Sequence, residues 1–236
     1  MKLKIFGNNG PFPGPLGACS GYMVSTDDEN TNIALDMGTG TLARLLSDTP
    51  IEHVTAVILS HLHLDHMSDI LPLQYVLQFS DRANLPVYAP TQPENVAALL
   101  HCPRFDLREH AAFETGGIRV DFMAALHPVP GSAISLSDGK RRIVYTGDTN
   151  WFDALVPFCE NADILLADAG LPDAKWSEKA PHLSAKKCGE LAKTANAKKL
   201  LLTHLNPNFD EGALLAEAAS VFPNCALARI GDAYPA

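Results

Sequence analysis

Ser60-His61-Leu62-His63-Leu64-Asp65-His66 constrains this chain more than any other stretch, because it sets four metal-ligand side chains within six positions directly after the apolar run Val54–Leu59. Strand side chains alternate between two faces, so in extended backbone His61 and His63 point to the same side. Asp65 and His66 fall where the chain turns into a helix and can face a second ion. A lone histidine is usually a satisfied core or surface residue. Three histidines and an aspartate at this spacing have no packing purpose, and buried imidazoles and carboxylates need partners.

Around this motif, short β-rich runs alternate with amphipathic segments. Leu3–Phe6, Tyr22–Ser25 and Ile33–Leu35 read as strands, Leu42–Leu46 as a helix and Val54–Leu59 as a buried strand. A helix is expected to begin near Asp65 and carry Ile70, Leu73 and Leu77 on one face, with Pro72 disturbing its first turns. The middle gives Val87–Ala89, a helix over Glu94–Leu100, and strands Ile118–Met123, Ala133–Leu136 and Arg142–Thr146, the last two joined by the turn Ser137-Asp138-Gly139. The last third gives Ile164–Ala167, a helix Ala185–Ala195, Leu200–Thr203, a helix Leu214–Val221 and Ala226–Ile230. This order predicts an α/β chain with two mixed sheets between outer helices, an αββα four-layer sandwich, as one domain over residues 1–236. With 47% apolar residues such a chain needs no disulfide scaffold. The glycine and proline cluster Gly10–Gly17 is either a plain surface turn or a loop at the rim of a site.

A formal charge of −9 repels polyanions at long range, so broad nucleic-acid binding is not expected, while a site with two cations can still take one phosphate. Cys19, Cys102, Cys159, Cys188 and Cys225 are odd in number and form no Cys-x-x-Cys pair, the usage of reduced thiols in a cytoplasmic protein. No run has signal-peptide length or the roughly 18 uncharged apolar residues of a membrane span, so no membrane partner is expected.

The His-x-His-x-Asp-His run resembles the signature of the metallo-β-lactamase superfamily. The resemblance extends over nearly the whole chain through Leu35-Asp36-Met37-Gly38-Thr39-Gly40, His127-Pro128, Thr146-Gly147-Asp148-Thr149 and Leu202-Thr203-His204. It implies the metallo-β-lactamase fold and a dinuclear centre: one metal takes His61, His63 and His127, a second takes Asp65, His66 and His204, and Asp148 bridges both. Taken singly, His127 could cap a loop, His204 could be core and Asp148 could be a turn residue. With all three, each ion has three private ligands and a shared carboxylate, leaving room for a bridging hydroxide. The donors suit Zn²⁺ first, with Mn²⁺ or Fe as alternatives. Asp65 would orient the nucleophile, and Asp36 would either orient a ligand histidine or cap its Gly-rich turn.

Two-metal lactam hydrolases of this superfamily generally carry cysteine where this chain has Asp148, which leaves phosphodiesterases, lactonases and thioesterases. Pro181-His182-Leu183-Ser184-Ala185 precedes the Ala185–Ala195 helix with Ser184 as its N-cap. This is similar to a feature of the ribonuclease Z-like phosphodiesterases, in which the histidine is implied to give a proton to the leaving oxygen; otherwise His182 is a solvent-facing loop residue. Only 21 positions separate His127 from Asp148, too few for the substrate-gripping arm of the tRNA-processing enzymes. Lys140, Arg141 and Arg142 read as a solvated hairpin end. The resemblance therefore implies a small phosphodiesterase acting on a nucleotide, cyclic nucleotide or short nucleic-acid end. Its partner would be a small-molecule or short phosphodiester substrate without an extended nucleic-acid surface, and a homodimer is compatible with it. The alternatives are a lactone, ester or thioester hydrolase on the same site, and a metal-binding protein without catalysis.

Overall fold

Along Asn32–Leu35, Ile33 and Leu35 pack to one side of the strand and Ala34 to the other, and this alternation, repeated from strand to strand, builds three apolar layers. The computed structural model describes residues 1–236. Strands β1 (Lys2–Gly7), β2 (Gly21–Ser25), β3 (Asn32–Leu35), β4 (Ala56–Ile58), β5 (Leu85–Tyr88) and β6 (Phe105–Arg108) form a first sheet in sequence order. Strands β7 (Phe113–Thr115), β8 (Ile118–Ala124), β9 (Ser132–Ser137), β10 (Arg142–Tyr145), β11 (Ile164–Asp168), β12 (Lys199–Thr203) and β13 (Cys225–Leu227) form a second. The chain then returns to the first sheet with β14 (Ala233–Pro235), antiparallel to β1. Both sheets change from antiparallel to parallel pairing partway across, at β3 in one and β10 in the other.

Between the sheets lie Ile33, Leu35, Ile58, Ile134, Ile143, Tyr145, Leu166 and Leu201. The outer face of the first sheet is covered by α1 (Thr41–Asp48), α2 (Leu64–Met67), α3 (Ile70–Gln78) and α4 (Glu94–Ala97), with Leu45, Ile70, Leu73 and Leu77 against Val57, Leu59 and Val87. The second sheet is covered by α5 (Leu155–Phe158), α6 (Ala185–Thr194) and α7 (Glu211–Ala219), with Leu155, Cys188, Leu191 and Leu214 against Val144, Leu165, Leu200 and Leu202. The expected four layers are present. No helix is long and apolar enough to cross a membrane.

The helix expected from Asp65 is two helices. The break falls at Ser68-Asp69, where the Asp69 carboxylate accepts from the backbone of Gly40 and Leu42 at 3.0 and 2.9 Å and so ties the start of α1. Pro72 thereby lands in the first turn of α3, where a missing N–H costs nothing. Helix α7 starts at Glu211, ahead of Leu214, because Asp210 caps it by accepting from Ala213 N. Strands β6, β7 and β14 were not expected. The hairpin-end arginines are engaged within the fold: Arg141 pairs with Asp27 and Asp138, and Arg142 donates to the carbonyls of Glu160 and Phe158.

What positions the site is the switch in pairing. Parallel strands β3, β4, β10, β11 and β12 all end at the same edge of the sandwich, and the loops leaving them carry Asp36, His61, Asp148 and His204, with Asp168 at the end of β11 itself. Such carboxyl ends are where open α/β sheets bind their ligands.

Candidate metal centre

Leaving β4, the chain stays extended through Leu59-Ser60-His61 and enters α2 at Leu64, so Asp65 and His66 sit on its first turn. Neighbouring backbone braces this turn: Met37 N donates to His66 O at 2.7 Å and Ser20 N to Asp65 O at 3.1 Å. Asp148 follows Gly147, whose φ of +57° a residue with a Cβ rarely adopts. Asp36 and His204 hold φ of +56° and +55°, strained backbone of the kind that clusters at functional sites.

Donor atoms from the seven expected ligands converge in two groups. His63 Nδ1 lies 2.9 Å from His61 Nε2 and 3.3 Å from His127 Nε2, and His61 Nε2 lies 3.6 Å from Asp148 Oδ2. In the second group, His204 Nε2 lies 3.1 Å from Asp65 Oδ2 and 3.3 Å from Asp148 Oδ2. His66 Nε2 lies 3.6 Å from Asp65 Oδ2 and 3.2 Å from Asp148 Oδ1. Asp148 faces both groups. A tetrahedral zinc site with bonds of roughly 2.0–2.1 Å has ligand-to-ligand edges of about 3.3–3.4 Å, and these separations bracket that length.

Two further observations fit a bound cation. The buried atoms His66 Nε2 and Asp148 Oδ1 face each other without the alignment of a hydrogen bond, so neither has a partner. Gly10 packs directly on His204, and a Cβ there would overlap the imidazole. The Gly10–Gly17 loop therefore reaches the site, and its first glycine leaves the ring the space it occupies.

Hydrogen bonding fixes which ring nitrogen three of the histidines present. His66 Nδ1 donates to Asp36 Oδ2 at 2.8 Å, His61 Nδ1 to Ser60 Oγ at 3.2 Å, and His127 Nδ1 to Pro181 O at 3.0 Å, leaving Nε2 of each free for a metal. The buried Asp36 carboxylate is the hub of this support. It also accepts from Ser60 N at 2.6 Å, Ser60 Oγ at 2.8 Å and Tyr145 Oη at 2.7 Å.

The field at the centre favours positive charge. Burial opposes a charge on His66, yet the Asp148 and Asp36 carboxylates push its pKa up to about 10. Against the same opposition from burial, Asp148, Asp168 and Asp65 hold His204 well above its usual range. Burial raises Asp148, but His204, His66 and His61 outweigh it and keep the carboxyl well below its usual value. An imidazolium or a divalent cation satisfies such a field equally well.

His182 stands beside this cluster, 3.8 Å from Asp148 Oδ2, and its Nδ1 donates to Asp168 Oδ2 at 2.9 Å. Burial works against a charge on the ring, and Asp168 more than offsets it, so the pKa lies above the usual value. Asp168 escaped the sequence reading. Its signal is a carboxylate ending an apolar run; that run is the wholly buried strand Ile164–Asp168, whose Asp168 pairs in register with Thr203, the residue before His204. Its oxygens also accept from Thr149 N at 3.1 Å and Gly170 N at 3.0 Å, so three donors hold it in place beside His182, and its oxygens lie within ligand reach of Asp148, His182 and His204.

Known proteins resemble this chain throughout its length. A model of the β-lactamase superfamily domain matches residues 31–205. The probable metallo-hydrolase YhfI of Bacillus subtilis is 32% identical over 232 residues, covering 94% of each chain. The YhfI crystal structure matches with a TM-score of 0.92 over 99% of this chain and 98% of that one. Ribonuclease Z of Thermoplasma acidophilum is 24% identical over 281 residues, covering 93% of this chain and 91% of its own. Human tRNase Z, short form, has the same fold, with a TM-score of 0.81 at 19% identity over 100% of this chain and 99% of that one.

Proposed function

The chain belongs to the metallo-β-lactamase superfamily and is a metal-dependent hydrolase by that kinship, and from this premise we propose that it is a phosphodiesterase working with two divalent cations, zinc by preference. The substrate in this reading is a nucleotide, a cyclic nucleotide or a short nucleic-acid end. The observation that carries it is the His182–Asp168 pair, whose 2.9 Å contact lies beside Asp148.

Held by His61, His63 and His127 on one side and Asp65, His66 and His204 on the other, with Asp148 shared, divalent cations would lower the pKa of a water towards neutrality and neutralise charge on the phosphoryl oxygens. The protein's own groups do the rest. Asp65 orients the attacking water by accepting a hydrogen bond from it. Asp168 holds Nδ1 of His182, so the proton for the leaving alkoxide sits on Nε2, the other ring nitrogen. Burial opposes a charge on His182, and the Asp168 carboxylate outweighs it and raises the pKa, which favours the protonated ring a general acid requires. Ester and thioester hydrolysis need this proton less when the leaving group is a thiolate or an activated alcohol, which is why the pair favours the phosphodiester reading.

A substrate panel tests it. Metal-reconstituted protein should hydrolyse phosphodiester reporters well above phosphomonoesters, lactones and thioesters. His182→Ala should retain its metals yet lose roughly a hundredfold or more on an alkyl diester and far less on a nitrophenyl diester, because a nitrophenolate departs without a proton. A preference for lactones or thioesters, or equal losses on both diesters, would remove the basis of the reading.

A further inference from the structure

Asn150 lies two residues beyond Asp148, is 1% exposed, and spends three of its four carboxamide hydrogen bonds on the segment that leads to His182. Its Nδ2 donates to Ser177 O at 3.0 Å and Ala180 O at 2.8 Å. Its Oδ1 accepts from Trp176 Nε1 at 2.9 Å and from Trp151 N at 2.7 Å. A carboxamide has two N–H donors and an oxygen with two lone pairs, so no capacity is left over. The backbone joins in: Asn150 N donates to Leu126 O at 2.9 Å, and Thr149 Oγ1 accepts from Leu126 N at 3.0 Å, which fixes the stretch entering His127.

The segment from Trp176 to Pro181 has little else to hold it. Ser177, Glu178 and Lys179 are exposed. Its remaining backbone bonds are local, Trp176 N to Asp173 O and Ala180 N to Ser177 O. Every hydrogen bond from this segment to a distant part of the fold goes to Asn150 or, through Pro181 O, to His127 Nδ1. The Trp176 ring is covered by Lys187, whose Nζ lies 4.8 Å from its centroid and 5.5 Å from that of Trp151.

We infer that Asn150 is a positioning residue: by pinning the 176–181 segment beside Asp148, its carboxamide fixes the carbonyl that orients His127 and the backbone from which His182 reaches the site. The consequence for His182 rests on the reading of that residue as proton donor; the consequence for His127 does not. Nothing in the pattern Gly-Asp-Thr-Asn announces this role, because the partners are main-chain carbonyls some 27 and 30 residues away.

Asn150→Asp is the informative variant. It keeps the volume and the acceptor used by Trp176 and Trp151, and replaces the donor by an oxygen facing two carbonyls. Trp176→Phe, which deletes only the indole N–H, is a milder second variant should Asn150→Asp fail to fold. In the full-length protein, hydrogen exchange of peptides spanning 174–183 should accelerate at least tenfold in Asn150→Asp while peptides from β3, β4 and β12 exchange as in the parent. Tryptophan emission should shift to the red, since both tryptophans of the chain touch Asn150. Chelator competition should show metal bound at least severalfold more weakly, through His127. At saturating metal, turnover of an alkyl diester should fall at least tenfold further than that of a nitrophenyl diester.

Parent-like exchange over 174–183 overturns the inference. So does faster exchange with parent-like metal affinity and equal losses on both diesters, provided His182→Ala shows the selective loss. If His182→Ala itself loses both diesters equally, the proton-donor reading fails, and exchange together with metal affinity decides the role of Asn150 alone.

Discussion

Replacing Asp36 by asparagine changes one atom and removes one charge, and its cost follows from the four hydrogen bonds that the carboxylate accepts. Oδ2 takes Ser60 Oγ, Tyr145 Oη and His66 Nδ1, and Oδ1 takes Ser60 N at 2.6 Å. The variant keeps the three-donor position satisfied only by placing its carbonyl there, which turns its NH₂ onto the Ser60 N–H. One bond is lost with a donor facing a donor, and three become neutral where they were charge-assisted. With hydrogen bonds to charged groups contributing about 1.5–3 kcal/mol and neutral ones about half that, one bond lost and three halved cost about 4–7 kcal/mol. That is a large share of a domain's usual stability of about 5–15 kcal/mol. The same change loosens His66, so metal affinity should fall about 10–100-fold, the range seen when an outer partner of a ligand histidine is removed. Urea unfolding of the metal-free variant reads the first quantity and chelator competition of the folded variant the second. A loss below about 1 kcal/mol in the first, with metal affinity unchanged, would refute the claim that Asp36 orients His66 and leave it a turn residue.

Three other outcomes follow from the geometry. Gly10→Ala should fold but lose metal from the His204 side, since a Cβ there overlaps the imidazole; full metal content in that variant would place the Gly10 loop outside the site. Asp168→Ala should reduce alkyl-diester turnover to the level of His182→Ala, and the double variant should be no slower than His182→Ala alone, because the pair acts as one unit; additive losses would separate the two. The pH dependence has a definite sign. His66 is raised from its usual 6.5 to about 10, so it stabilises the metal-free fold fully below about 6.5, and that stability is lost as pH climbs towards 10. Chelator-treated protein should lose Tm across this window while the metal-loaded protein, with Nε2 coordinated, does not; parallel curves would contradict the assignment of Nε2 to a metal.

How much of this was legible beforehand depended on whether a signal was local. His61, His63, Asp65 and His66 follow an apolar strand within six positions, so strand alternation puts His61 and His63 on one side and the turn into the next helix adds Asp65 and His66. The buried strands Ile33–Leu35, Ile164–Ala167 and Leu200–Thr203 announce themselves by uninterrupted apolar runs, as parallel strands covered on both faces do. The edge strands Phe105–Arg108, Phe113–Thr115 and Ala233–Pro235 are short, and they keep polar or half-exposed residues because only one neighbour holds them. The break at Asp69 was invisible because its carboxylate serves a helix start some 27 residues upstream. Asp168 and Asn150 escaped for the same reason: one looks like the polar end of an apolar strand and the other like a turn residue, and their partners come from distant loops. Residue types and short spacings point to the metal chemistry, while the groups that aim it are set by long-range hydrogen bonds.

A dinuclear centre requires two cations sharing Asp148, and the metal-to-chain ratio measures that directly. After reconstitution with excess Zn²⁺ or Mn²⁺ and removal of free metal, elemental analysis should give about two ions per chain, since seven protein ligands exceed what one tetrahedral ion can use. Asp148→Ala should retain markedly less metal and hydrolyse at background, because two neighbouring cations then lack the carboxylate that screens their repulsion. A parent ratio that stays near one, or an Asp148→Ala protein with the full parental ratio and activity, would contradict the dinuclear site.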